Sequence, residues 1–67
     1  MEFQAQPKEK IAAIIPAYNE ERNICNVLKV ILSSEIFDEV IVVDDGSTDK
    51  TAKISQELGA KVISLPQ

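Results

Sequence analysis

Two short runs, Ile11-Ala12-Ala13-Ile14-Ile15 halted by Pro16 and Val40-Ile41-Val42-Val43 halted by Asp44, are apolar at every position. A strand with one wet face alternates apolar and polar side chains. A strand apolar on both parities is the habit of parallel sheets covered on both faces. Between the runs, Ile24, Val27, Leu28, Ile31 and Leu32 fall at i, i+3, i+4, i+7 and i+8, the core face of an amphipathic helix. Asn19 is expected to cap that helix, with Glu20 and Glu21 at the positive end of its dipole. After the second run, Gly46 supplies a turn, and Ser47, Thr48 or Asp49 can cap a second helix that runs to about Leu58. Gly59 is placed to end it at C′. Val62 and Ile63, flanked by Lys61 and Ser64 and closed by Pro66, make a third and weaker strand. The order is β-α-β-α-β.

That order predicts an α/β fold: a three-stranded parallel sheet with right-handed crossovers, both helices on one face. The other face is then uncovered, although the strands are apolar on both sides. Either the chain is the N-terminal portion of a larger domain, or it self-associates through the open face. Ordinary domain sizes favour the first, and a chain of 67 residues buries only roughly 60% of its unfolded surface. The expected organisation is a flexible polar tail over residues 1–10 and a partial α/β domain over residues 11–67.

Composition removes several classes of function. A net charge of −4 and the absence of His leave no basic face for nucleic acid. Cys25 is the only cysteine, so there is no intrachain disulfide framework and no zinc-ligand spacing, as in a reducing compartment. The first ten residues lack the apolar centre of a signal peptide, and no apolar run approaches the ~20 residues that cross a bilayer. The expected setting is the cytoplasm, with the cytoplasmic membrane surface as the alternative for a complete protein.

In open α/β sheets ligands sit beyond the carboxyl ends of the strands. Here those ends read Pro16-Ala17-Tyr18-Asn19-Glu20-Glu21 and Asp44-Asp45-Gly46-Ser47. If their strands are neighbours, the two loops begin about 5 Å apart, and Tyr18, Glu20 and Asp45 can face one small molecule. The first loop has no glycine between Pro16 and the helix, which excludes a dinucleotide fingerprint, and there is no Walker A loop. An aromatic face and carboxylates that accept from base N–H or ribose hydroxyls suit a nucleoside better than a phosphate. Adjacent Asp44 and Asp45 point to opposite sides of an extended backbone, so one can face a ligand while the other takes turn amides.

IPAYNEE at the end of a first strand, followed after one helix by VVDDGSTD at the end of a second, resembles the N-terminal signature of the family 2 inverting glycosyltransferases. The likeness spans roughly residues 11–65, and the form PAYNEE-x-N-I is most similar to the dolichyl- and polyprenyl-phosphate sugar transferases. It implies the N-terminal part of a Rossmann-like GT-A domain. Pro16, Tyr18 and Glu20 would line a nucleotide pocket with Tyr18 against the base, Asp45 would accept a hydrogen bond from the base, and Val43 would touch it by its backbone. The donor would be a UDP- or GDP-sugar, with Mg²⁺ or Mn²⁺ bridging the diphosphate in the complete enzyme, and a polyprenyl phosphate is one candidate acceptor. The family's metal-binding Asp-x-Asp and its catalytic base follow later elements, and neither has a counterpart in these residues. The resemblance therefore implies nucleotide recognition without a catalytic or metal-binding residue in this chain.

Plainer readings stand beside these. Asp44-Asp45-Gly46-Ser47 can be a turn and a cap, Tyr18 can cover the sheet end, Glu20 and Glu21 can be first-turn acids, and Cys25 is a half-buried packing residue. DDGST has the wrong spacing and follows the wrong strand for the D-x-D-G-T of haloacid-dehalogenase-type phosphotransferases. A receiver-type phosphoacceptor would need a further Asp after the third strand, which residues 63–66 do not supply. The non-enzymatic alternative is an α/β assembly module, or an autonomously folding fragment, that forms a homo-oligomer through its open sheet face.

Overall fold

The computed structural model describes residues 10–66. The tail expected over residues 1–10 lies outside them except for Lys10. Three strands, β1 (Ala12–Ala17), β2 (Glu39–Asp45) and β3 (Lys61–Leu65), alternate with two helices, α1 (Ile24–Ser33) and α2 (Thr51–Glu57). The strands form one parallel sheet in the order β1-β2-β3. The α/β unit expected from the apolar runs is thus present, and β3 reaches one residue further, to Leu65.

Burial along the strands follows their period of two. Ala13 and Ala17 of β1 and Val40, Val42 and Asp44 of β2 are buried, while Ala12, Ile14, Pro16, Glu39 and Asp45 are exposed. The buried set meets Ile24 and Leu28 of α1 and Ala60, with Ile15, Ile31, Phe37, Ile54, Leu58 and Val62 packed around them. The core lies between one face of the sheet and both helices. The opposite face carries Ile14 at 65% exposure together with exposed Ile63 and Leu65. At the amino end of the sheet, the Ile11 N–H donates to Asp38 Oδ2 at 2.8 Å and the Asp38 N–H donates to the Ile11 carbonyl at 2.8 Å, which starts β1 and β2 in step.

The start of α1 departs from expectation, while that of α2 is capped by one of the three expected residues, Asp49. Asn19 does not cap α1, which begins at Ile24 after a turn in which the Glu20 carbonyl accepts from the N–H groups of Asn23 and Ile24. Asn19 has φ +51, and its side chain has a partner elsewhere, on Thr48. Glu20 and Glu21 consequently precede the first turn of α1, which contains no acidic residue. The apolar stripe of α1 is only partly covered: Ile24 and Leu28 are buried, but Val27 and Leu32 remain 41% and 39% exposed. At α2 the flanking residue is Lys50, whose side chain makes no capping bond, and the capping acceptor is Asp49, whose Oδ1 takes the Thr51 N–H at 2.9 Å. The end of α2 matches the sequence reading. Gly59 has φ +102, its N–H donates to the Gln56 carbonyl, and the Ala60 N–H donates to the Ser55 carbonyl, a Schellman motif.

Candidate functional site

The register Ala17↔Asp44 brings β1 and β2 to their carboxyl ends together. Tyr18 and Asp45 therefore leave the sheet as neighbours. Asp44 is buried on the helical side, where its Oδ1 accepts the Ser47 N–H at 3.3 Å; a buried carboxylate requires such a donor. Asp45, one residue on, lies on the exposed side. The chain then turns at Gly46, whose φ of +75 is readily reached without a Cβ.

Tyr18, Asp45, Gly46, Thr48 and Pro66 line an open hollow of about 410 Å³ at these strand ends. Its size falls in the range of small-molecule sites. Tyr18 is 58% exposed, so its ring is available to a planar ligand. Two further hollows lie at the other end of the sheet, against Asp38 and Glu39, and contain no residue of either loop.

Of the five residues expected in a pocket, the structure brings Tyr18 and Asp45 into this hollow. Pro16 and Val43 are register partners one step earlier, Pro16 exposed and Val43 half-buried. Glu20 is exposed and does not line the hollow; its backbone N–H is committed to Thr51 Oγ1. Sequence reasoning did not single out Thr48 or Pro66 as lining residues. Thr48 was read as a cap candidate and Pro66 as a strand terminator, and only the pairing of β2 with β3 places Pro66 beside the second loop.

The two loops are bound to each other by side chains. Three successive N–H groups of the first loop donate to the second: Asn19 to Ser47 Oγ at 2.8 Å, Glu20 to Thr51 Oγ1 at 2.8 Å, and Glu21 to Asp49 Oδ2 at 3.2 Å. In return, the Thr48 N–H donates to Asn19 Oδ1 at 2.9 Å and the Lys50 N–H to Glu21 Oε2 at 3.2 Å. Thr51, fully buried, also donates its hydroxyl to Asp49 Oδ1. Desolvation acts to raise the Asp49 pKa, but the bonds from the Thr51 hydroxyl and from the backbone N–H groups of Thr51 and Glu21 outweigh it. The carboxyl is held below the usual Asp value of 3.8.

The described residues contain no group of three or more His, Cys, Asp or Glu side chains that could hold an ion, and the Asp44 carboxylate already serves the Ser47 amide. These residues do not fit a metal centre by themselves. No helix among them is long and apolar enough to cross a membrane.

Residues 12–67 match the family model described as glycosyl transferase family 2. The chain is 40% identical over 62 residues, 92% of its length, to a 4,4'-diaponeurosporenoate glycosyltransferase of Staphylococcus haemolyticus, and 42% identical over 55 residues, 82% of its length, to that of Staphylococcus aureus strain USA300. It spans 16% and 15% of the lengths of those relatives. Among solved structures, glucosyl-3-phosphoglycerate synthase of Mycobacterium tuberculosis superposes with a TM-score of 0.72 at 40% identity, covering 82% of this chain and about a fifth of the synthase. It has been solved with uridine diphosphate, and with Mn²⁺, UDP-glucose and phosphoglyceric acid. The parallel sheet and its two helices thus recur in GT-A glycosyltransferases, and the chain belongs to glycosyl transferase family 2.

Proposed function

We propose that this chain is the nucleotide-binding portion of a glycosyltransferase that moves a sugar from a nucleoside-diphosphate sugar to an acceptor. One observation carries the reading: an aromatic ring and a carboxylate, Tyr18 and Asp45, issue from adjacent parallel strands and line one hollow. The Tyr18 ring stacks on the base, and Asp45 accepts a hydrogen bond from a base N–H. In this reading the backbone of Val43 borders the base, with Pro16 as its register partner, while Glu20 stands outside the hollow. Because UDP and UDP-glucose are bound by the mycobacterial synthase at 40% identity, UDP is the favoured nucleotide, with GDP as the comparison.

The divalent ion present in the synthase complexes would bridge the donor diphosphate and offset its charge in a complete enzyme. The described residues do not form its site. What this chain contributes is binding and orientation of the nucleoside, so that the sugar end of the donor projects away from the loops. The polyprenyl-phosphate acceptor rests on the PAYNEE-x-N-I likeness alone, and the names of the proteins compared above give 4,4'-diaponeurosporenoate and phosphoglyceric acid.

The test is a titration of the chain with UDP, GDP and their sugars in the presence of Mn²⁺, followed by backbone amide shifts. Perturbations are expected at Pro16 to Glu20 and Val43 to Gly46, and Asp45→Asn should weaken them. Shifts confined to other parts of a folded sample contradict the reading. The exposed row of Ile14, Ile63 and Leu65 favours a second reading, assembly through the open sheet face. A defined oligomer in concentration-dependent sedimentation, without nucleotide affinity, would select it.

A further inference from the structure

We infer that Asn19 is a positioning residue for nucleoside binding, tying together Tyr18 and Thr48, which line the hollow with Asp45. The inference rests on the nucleoside reading given above.

Asn19 sits directly after Tyr18 and is separated by Glu20 alone from the three-residue turn that precedes α1, with φ +51, the sole non-glycine residue at positive φ among those described. Asn is one of the few side chains that adopts this region at small cost, because its short amide can hydrogen-bond locally. Here the amide bonds across the site instead. Its Oδ1 accepts the Thr48 N–H at 2.9 Å and lies 3.4 Å from the Thr48 hydroxyl, 29 residues away, while its own N–H donates to Ser47 Oγ at 2.8 Å. Thr48 and Tyr18 both line the hollow, and Asn19 touches one and is covalently joined to the other. Its left-handed turn fixes the path of the chain directly after Tyr18, and its Oδ1 holds the Thr48 backbone to that turn.

These two functions can be separated by substitution. Asn19→Gly keeps the backbone at positive φ but removes the acceptor. Asn19→Asp keeps an acceptor at the same reach and still tolerates positive φ. Affinity is measured with UDP, and with uridine as an uncharged control for the added carboxylate, at a temperature where both variants are fully folded by circular dichroism. Global stability then does not enter the dissociation constant. Thr48 amide exchange is recorded on the same samples.

Asn19→Gly is expected to weaken UDP binding roughly tenfold, the equivalent of a lost hydrogen-bonded contact, with faster exchange at Thr48. Asn19→Asp should bind uridine within about threefold of the parent and retain slow Thr48 exchange. If Asn19→Gly binds as tightly as the parent, the positioning role is overturned while the nucleoside reading stands. If Asn19→Asp loses as much uridine affinity as Asn19→Gly although both are folded and Thr48 stays protected, the acceptor at this position is irrelevant and the inference fails. If the folded parent binds neither UDP nor uridine, the nucleoside reading fails and takes this inference with it.

Discussion

Thr51→Val removes a single oxygen from the centre of the clasp between the loops. The side chain is fully buried, accepts the Glu20 N–H at 2.8 Å and donates to the Asp49 carboxylate. Valine keeps the shape, so the change is one of hydrogen bonding. Losing a neutral bond costs about 1 kcal/mol and a bond to a charged group about 2 kcal/mol. The buried methyl that replaces the hydroxyl returns about 0.8 kcal/mol. The expected net loss is about 2 kcal/mol, against a total on the order of 3–10 kcal/mol for a chain of this length. Thr51→Ser is the complement: it retains the hydroxyl and loses only a buried methyl, about 1 kcal/mol. Urea unfolding followed by far-UV circular dichroism, with an m-value of about 1 kcal/mol/M, should place the valine variant's midpoint about 2 M below the parent and the serine variant's about half as far. A valine variant within about 0.5 kcal/mol of the parent, or a serine variant less stable than the valine one, would refute the claim that this hydroxyl joins the loops.

Other outcomes follow from the same structure. Leu28→Ala empties a fully buried position beneath the sheet and should cost about 3 kcal/mol in the same urea assay. Gly59→Ala places a Cβ at φ +102 where no atom lies within 4 Å, so its loss of about 1 kcal/mol is purely backbone strain and should appear without any change in m. Asp49 has a folded pKa below its usual 3.8, so its contribution is complete above that value and is lost as pH falls through the lowered folded one. Stability should fall below about pH 4, and Asp49→Asn should flatten part of that slope in an acid titration. The substitution should leave the neutral-pH hydrogen bond to Glu21 weaker, seen as faster Glu21 amide exchange.

The strands and their order were legible because each apolar run satisfies a local rule: β-branched or small residues, a hard stop at Pro16 or Asp44, and a helical period between them. The end of α2 was legible for the same reason, since Gly59 is read without knowledge of the rest of the fold. The start of α1 was not. Asn19 looks like a cap in sequence, but a donor 29 residues away in the chain, the Thr48 N–H, captures its side-chain oxygen, and no local pattern announces that competition. The exposure of Val27 and Leu32 has a related cause: the helical period marks five apolar positions, while the part of the fold described here covers fully only Ile24 and Leu28. At the site, the chemistry of Tyr18 and Asp45 was readable from the two motifs, and their adjacency followed once the strands were taken as parallel neighbours. Thr48 and Pro66 entered through tertiary pairing alone. Glu20 shows the limit in the other direction, for a residue marked by its motif is held there by its backbone while its side chain stands outside the hollow.

The central claim is that the two strand-end loops together cup a nucleoside. Intermolecular nuclear Overhauser effects between bound UDP and the chain test it most directly, because they report which atoms touch. The account predicts contacts from the uracil ring protons to the Tyr18 ring and to Pro66. Saturable UDP binding whose contacts instead run to the hollows at the amino end of the sheet, around Phe37 and Lys61, would contradict it.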